Sequence, residues 1–235
     1  MSSLRPFPLS LLLLGLFTGI GHAQTELITV TPSGPSDGGA IYAELSRDGR
    51  MVSFQAGASN LVPGDTNGVA DIFVRDMELG VTTRLSVSDG GLQADGDCLD
   101  PVISLDGGHV TWFAYATNLV PGDTNGSSDV FVHDLAAGST VRVPESFQLE
   151  GISRYPVISA GGRFVAFEST AENAVPGDTN GSRDIFVYDF ADGSLVRASV
   201  SATGAQASGT SLDAQPATGS GDHPSASKPP SSGAA

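Results

Sequence analysis

The stretch "LVPGDTNGVADIFVRD", Leu61 to Asp76, decides the fold because the chain writes it three times. It returns as "LVPGDTNGSSDVFVHD" from Leu119 to Asp134 and as "AVPGDTNGSRDIFVYD" from Ala174 to Asp189. The opening aspartates, Asp65, Asp123 and Asp178, are separated by 58 and 55 residues. Regular self-similarity at that period indicates a solenoid or a ring of sheet-built units.

Working outward, each copy sits in the same surroundings. Upstream, "AELSRDGRMVSFQAGASN", "PVISLDGGHVTWFAYATN" and "PVISAGGRFVAFESTAEN" each spell a short strand, a tight Asp-Gly or Gly-Gly turn and a second strand. In the second strand Met51, Ser53 and Gln55 alternate with Val52 and Phe54, the period-2 pattern of a half-buried strand. Downstream, "DIFVRDM", "DVFVHDL" and "DIFVYDF" give a third strand, followed by a turn at Gly80, Gly138 or Gly193. A fourth, more polar strand then carries an arginine at one fixed place: Arg84, Arg142 and Arg197. Four antiparallel strands per unit with no helical period make the chain all-β, and such a unit is a β-propeller blade.

The blades are expected at 39–88, 89–146 and 147–201, an incomplete ring, since closed propellers have about four to eight blades. Residues 24–38 resemble a fourth strand standing before blade 1, and 202–216 track the start of a further blade. The last segment, 217–235, has no Val, Ile, Leu, Met or aromatic residue and is predicted to be disordered.

Each loop places three oxygen-bearing side chains at relative positions 1, 3 and 7: Asp65, Asn67 and Asp71; Asp123, Asn125 and Asp129; Asp178, Asn180 and Asp184. Asx-turns and Asn-Gly turns explain part of this. A bare turn needs one such residue, however, and Val-Pro-Gly-Asp-Thr-Asn-Gly is identical in all three copies while the strands drift. Carboxylate, amide and carbonyl oxygens in a flexible wrap suit a hard cation. The expectation is therefore one weakly held Ca²⁺ per loop. A fourth repeated acid, Asp76, Asp134 or Asp189, reads as the opening residue of the next turn.

The repeat S-x-D-G-R-x-V-x-F, followed by N-L-V-P-G-D-T-N-G-x-x-D-I-F-V-x-D, resembles the WD-type repeat of TolB-like propellers, in the calcium-loop form of secreted bacterial proteins. Its loop is also similar to the calcium loop of FG-GAP repeats, with the central aspartate missing. The resemblance implies a calcium-binding protein-interaction or structural module. An FG-GAP-like adhesion module and the accessory propeller of an envelope enzyme are the alternatives it leaves.

The start, "MSSLRPFPLSLLLLGLFTGIGHAQTE", has the layout of a signal peptide cleaved after Ala23, its apolar run being shorter than the roughly 20 residues that span a bilayer. Cleavage removes Arg5, one of 11 basic residues, and leaves a net charge of −16 against 26 acidic ones. That balance argues against nucleic acid and anionic membrane surfaces as partners. A periplasmic or secreted protein with no membrane insertion after cleavage is the expectation, with a homodimer as one way to complete the ring. Cys98 stands alone and reads as a small buried residue. No nucleophile elbow, Cys/His pair, zinc spacing or phosphate loop is present, so no enzyme is expected. His109 aligns in this reading with Arg50 and Arg163, and His133 with Arg75 and Tyr188, variable strand positions that suit no fixed catalytic base.

Overall fold

The computed structural model describes residues 27–31 and 34–207. The segment 1–23 read as a signal peptide, residues 24–26, the region 208–216 and the tail 217–235 lie outside the described residues. Among the described residues every regular element is a strand. A short pair, β1 (Val30–Thr31) and β2 (Gly34–Pro35), precedes the three large sheets. Residues 30–31 form a two-stranded ladder with this neighbour, so the segment read as a stray fourth strand belongs to none of the large sheets.

Blade 1 contains β3 (Ala40–Leu45), β4 (Met51–Ala56), β5 (Asp71–Asp76) and β6 (Val81–Arg84). Blade 2 contains β7 (Cys98–Ile103), β8 (His109–Ala114), β9 (Asp129–Asp134) and β10 (Ser139–Val143). Blade 3 contains β11 (Ser153–Ile158), β12 (Phe164–Ser169), β13 (Asp184–Asp189) and β14 (Ser194–Arg197). Each is a four-stranded antiparallel meander in chain order. The first strands are the ones that meet: β7 packs on β3, β4 and β5, and β11 packs on β7, β8 and β9. Sheets that converge on their first strands in sequence order form the arc of an incomplete β-propeller.

The first strands carry a bulge at one repeated place, between Ile41 and Glu44, Leu99 and Val102, and Arg154 and Val157. Its residue adopts a left-handed backbone each time, with φ of 54° at Tyr42, 53° at Asp100 and 51° at Tyr155. A bulge bends the strand and re-aims its side chains, here where the blades crowd together.

The cores lie between blades. Ile72, Val74 and Leu85 of blade 1 join Cys98, Val110 and Trp112 of blade 2 in one buried cluster. Val130 and Val132 of blade 2 join Val165 and Phe167 of blade 3 in another. The middle blade is therefore covered on both faces, and its β8 is buried almost throughout where alternation predicted one wet face. β4 of blade 1 is buried as fully, because Phe54 and Ala56 pack under Leu61, Val62 and Ile28. Burying each such side chain stabilises by about 1.5–3 kcal/mol. Cys98 is fully buried, and its thiol is pushed well up by that burial.

Connectors between blades are pinned by a repeated clasp. Asp37 accepts from Ser59 N at 2.9 Å, and Asp95 accepts from Thr117 N at 2.7 Å. Asn60, Asn118 and Asn173 accept in turn from the backbone N–H of Asp37, Asp95 and Glu150. The next residue must be glycine, because a Cβ at Gly96 would lie 2.9 Å from the backbone of Tyr115.

Candidate functional site

Each PGDTNG loop leads into a third strand, and the β-hairpin that follows returns the fourth strand to the loop. The pairing of Phe73 with Arg84 in β5–β6 sets that arginine beside the loop's seventh residue, Asp71. Blade 3 repeats this with Phe186 and Arg197, and blade 2 with Phe131 and Arg142. The fold thus brings all three predicted oxygen donors of each loop together, around an arginine.

In loop 1, Arg84 Nη1 lies 2.9 Å from Asp65 Oδ1 and 3.5 Å from Asp71 Oδ2. All three side chains are at least nine-tenths buried. Ser86 Oγ donates to Asp71 Oδ1 at 2.5 Å. Gln93, in the connector to blade 2, closes the cluster: its Oε1 accepts from Arg84 Nη1 at 3.1 Å and from Thr66 N at 3.0 Å. Its Nε2 donates to Gly64 O at 2.9 Å. Asn67 turns its amide nitrogen to Ala94 O at 3.1 Å.

Loop 3 follows the same plan. Arg197 Nη1 lies 3.0 Å from Asp178 Oδ1 and 3.5 Å from Asp184 Oδ2, and Ser199 Oγ donates to Asp184 Oδ1 at 2.6 Å. Asn180 Nδ2 reaches Ala207 O at 3.1 Å. The identity of the loop residues follows from this lock. Two carboxylates grip the arginine, an asparagine ties the next connector, and Gly64 and Gly68 sit at φ of 77° and 70°, where side chains are strained.

Loop 2 differs. Arg142 Nη1 stands 3.8 Å from Asp123 Oδ1 and 3.9 Å from Asp129 Oδ2, beyond hydrogen-bond reach. Pro144 occupies the place of Ser86 and Ser199, so no hydroxyl serves Asp129. Gln148 Nε2 is left to donate to both acids, at 2.8 Å to Asp123 and 3.4 Å to Asp129. Asp123 Oδ2 is buried with no hydrogen-bond partner. Burial, reinforced by the neighbouring Asp123 charge, pushes the Asp129 carboxyl up to about 6. Burial also raises Asp71 and Asp123.

The donor set decides how a calcium ion would fit. Such an ion takes six to eight oxygens at about 2.3–2.6 Å. In these loops the asparagines present N–H groups to carbonyls, and Asn125 and Asn180 spend their oxygens on Ser127 N and Ser182 N. In loops 1 and 3 the carboxylates face a guanidinium, whose planar fork of N–H donors suits two acids at once. As arranged, the residues fit arginine; a divalent ion would have to displace it. Among the described residues no group of three or more His, Cys, Asp or Glu is placed to hold a metal.

Two features escaped the sequence reading. Gln93, Gln148 and Gln206 recur in the connectors, although only the "GLQADG", "SFQLEG" and "GAQASG" stretches signalled them. The strand register also moves the histidine alignment by one. Met51, His109 and Phe164 are the equivalents, facing Asp76, Asp134 and Asp189, so Gly108 is the residue that stands where Arg50 and Arg163 stand. The repeated aspartates do open turns: Asp76 Oδ1 accepts from Glu78 N and Leu79 N, both at 2.9 Å.

No protein-family model matches the chain, and no curated protein matches it. Solved structures similar to it are propellers or proteins that contain them. A protein described as TolB from Agrobacterium tumefaciens superposes with a TM-score of 0.45 at 19% identity, over 68% of this chain and 48% of that one. TolB from Acinetobacter baumannii gives 0.41 at 17% identity, over 72% and 37%. The β-propeller domain of the Trilobed protease from Pyrococcus furiosus gives 0.45 at 11%, over 68% and 41%. The chain spans less than half the length of each of these three proteins.

Proposed function

We propose that the chain is an arc of an extracytoplasmic β-propeller that works by protein contact, with its two end faces completed by further blades. The observation that carries this reading is the difference between equivalent positions inside and at the ends of the arc. Leu45 of the first strand of blade 1 is 60% exposed, whereas Ile103, its equivalent in blade 2, is 4% exposed. Ala43 is exposed where Pro101 and Pro156 are buried. At the other end, Ile185 and Val187 of β13 are half-buried where Ile72 and Val74, Val130 and Val132 are buried. Uncovered apolar faces of this kind are contact surfaces, and repeat units need neighbours to bury them.

Secretion in this reading follows from the signal-like start. In place of calcium, the arginines carry the positive charge of the loops. Light scattering on the mature chain tests the proposal. Association beyond the monomer is expected as concentration rises, and Leu45→Glu or Val187→Glu should weaken it. A chain that stays monomeric throughout, and is indifferent to both substitutions, would remove the basis for the reading.

A further inference from the structure

The turn aspartates at the ends of the third strands show a second contrast between blades. Arg50 binds Asp76 Oδ2 through Nε and Nη2, at 3.1 and 2.8 Å. Arg163 binds both oxygens of Asp189, at 2.8 and 2.7 Å. Blade 2 keeps the frame for the same pair: Met77 N, Leu135 N and Phe190 N donate to the carbonyls of Arg50, Gly108 and Arg163 at 2.8, 2.9 and 2.9 Å. The side chain alone is missing, because that position is Gly108. The Asp134 side chain is consequently 41% exposed, against 13% for Asp76 and 13% for Asp189.

Among the described residues, nothing in the blade fills the slot. His109 Nε2 remains 3.9 Å from Asp134 Oδ2, and its ring rests against Gly162. Arg163 is spent on Asp189. Instead Asp134 lines a groove of about 420 Å³ between blades 2 and 3, shared with Ser139, Glu145 and the apolar Val132, Val141 and Phe190. The lining carries two carboxylates and apolar side chains, which match the charged head and methylene stem of an arginine, beside His109 and the Asp189-bound Arg163. The chain's acidic balance draws cations towards it.

We propose that this groove binds a guanidinium group, supplied by an arginine side chain of a partner protein, in the slot that the other two blades fill from within. The fold displays the expected contact twice in its own sequence, and Asp134 remains placed to make it.

The test uses the mature chain labelled with nitrogen-15, titrated with a short peptide bearing one arginine, with its lysine and citrulline counterparts, and with free arginine. The readout is the amide signals of Ala136 and Ala137, which donate to Asp134 Oδ1 at 2.8 and 3.0 Å. Saturable shifts are expected with the arginine peptide and none with the citrulline peptide. Gly108→Arg, whose new Cβ would meet nothing closer than 3.4 Å, should abolish them by filling the slot from within. Asp134→Asn, which can still accept the two turn amides, should weaken binding about fivefold, as for a single exposed ion pair. Equal shifts with citrulline, or binding retained in both variants, would overturn the site. Free arginine binding as tightly as the peptide would overturn the protein source of the group.

Discussion

Loops 1 and 3 and loop 2 share seven identical residues, yet the first and third close on their arginine at 2.9 and 3.0 Å while the second holds its own at 3.8 Å. The difference lies outside the loop, where Ser86 and Ser199 give way to Pro144. A hydroxyl on the seventh-position carboxylate satisfies one of its oxygens and leaves the other for the guanidinium. Without the hydroxyl, Gln148 spreads its amide over both acids, and Asp129 keeps a carboxyl that resists ionising. A repeat therefore preserves a frame, while each copy's chemistry depends on partners tens of residues away.

The largest expected effect comes from removing the arginine where it is best held. Arg84→Met leaves two buried carboxylates unpaired and should cost about 3–5 kcal/mol in urea unfolding. Arg142→Met should cost less than half of that, because Arg142 stands farther from its two acids. Equal costs would erase the distinction between the loops.

Acidity separates them next. A carboxyl whose folded value lies above its unfolded one binds a proton more tightly when folded, so the folded state loses stability as the group ionises. For Asp129, at about 6 against an ordinary 3.8, stability should rise as pH falls through 6 towards 4, by about 3 kcal/mol at most. Asp129→Asn should flatten that part of the profile. A profile already flat in the wild-type chain would contradict the withdrawn arginine.

A smaller effect converts one loop into the other. Ser86→Ala deletes the hydroxyl from Asp71 and should cost about 2 kcal/mol, the value of a buried hydrogen bond to a charged group. It should also raise the Asp71 carboxyl, which carbon-detected titration would follow. No change in that titration would show that the hydroxyl is not what distinguishes loop 1 from loop 2.

Much of this was legible in the residues. The threefold repeat, the Asp-Gly turns and the alternating strands led to the propeller arc, and Arg84, Arg142 and Arg197 stood out at one place. Their role did not, because Asp65 and Arg84 are separated by a whole hairpin and meet only through the β5–β6 register. Counting oxygens along a loop favours a metal; the strand that folds back sets a guanidinium beside the same carboxylates. The one-residue shift at Gly108 and His109 hid the empty arginine slot for a related reason. Glycine next to histidine reads as a turn until pairing with Asp134 fixes the register. Burial on both faces of β4 and β8 was illegible too, since it does not come from the strand's own pattern. It comes from the neighbouring blades around β8, and from blade 2 and the chain's own Leu61, Val62 and Ile28 around β4.

The positive charge of each loop is, in this account, the chain's own arginine, and melting curves of the mature chain with a chelator and with millimolar calcium test it most directly. The expected result is an unchanged midpoint in the wild-type chain. A rise of several degrees with calcium, lost in Asp65→Ala or Asp178→Ala, would place a metal where the guanidinium is assigned.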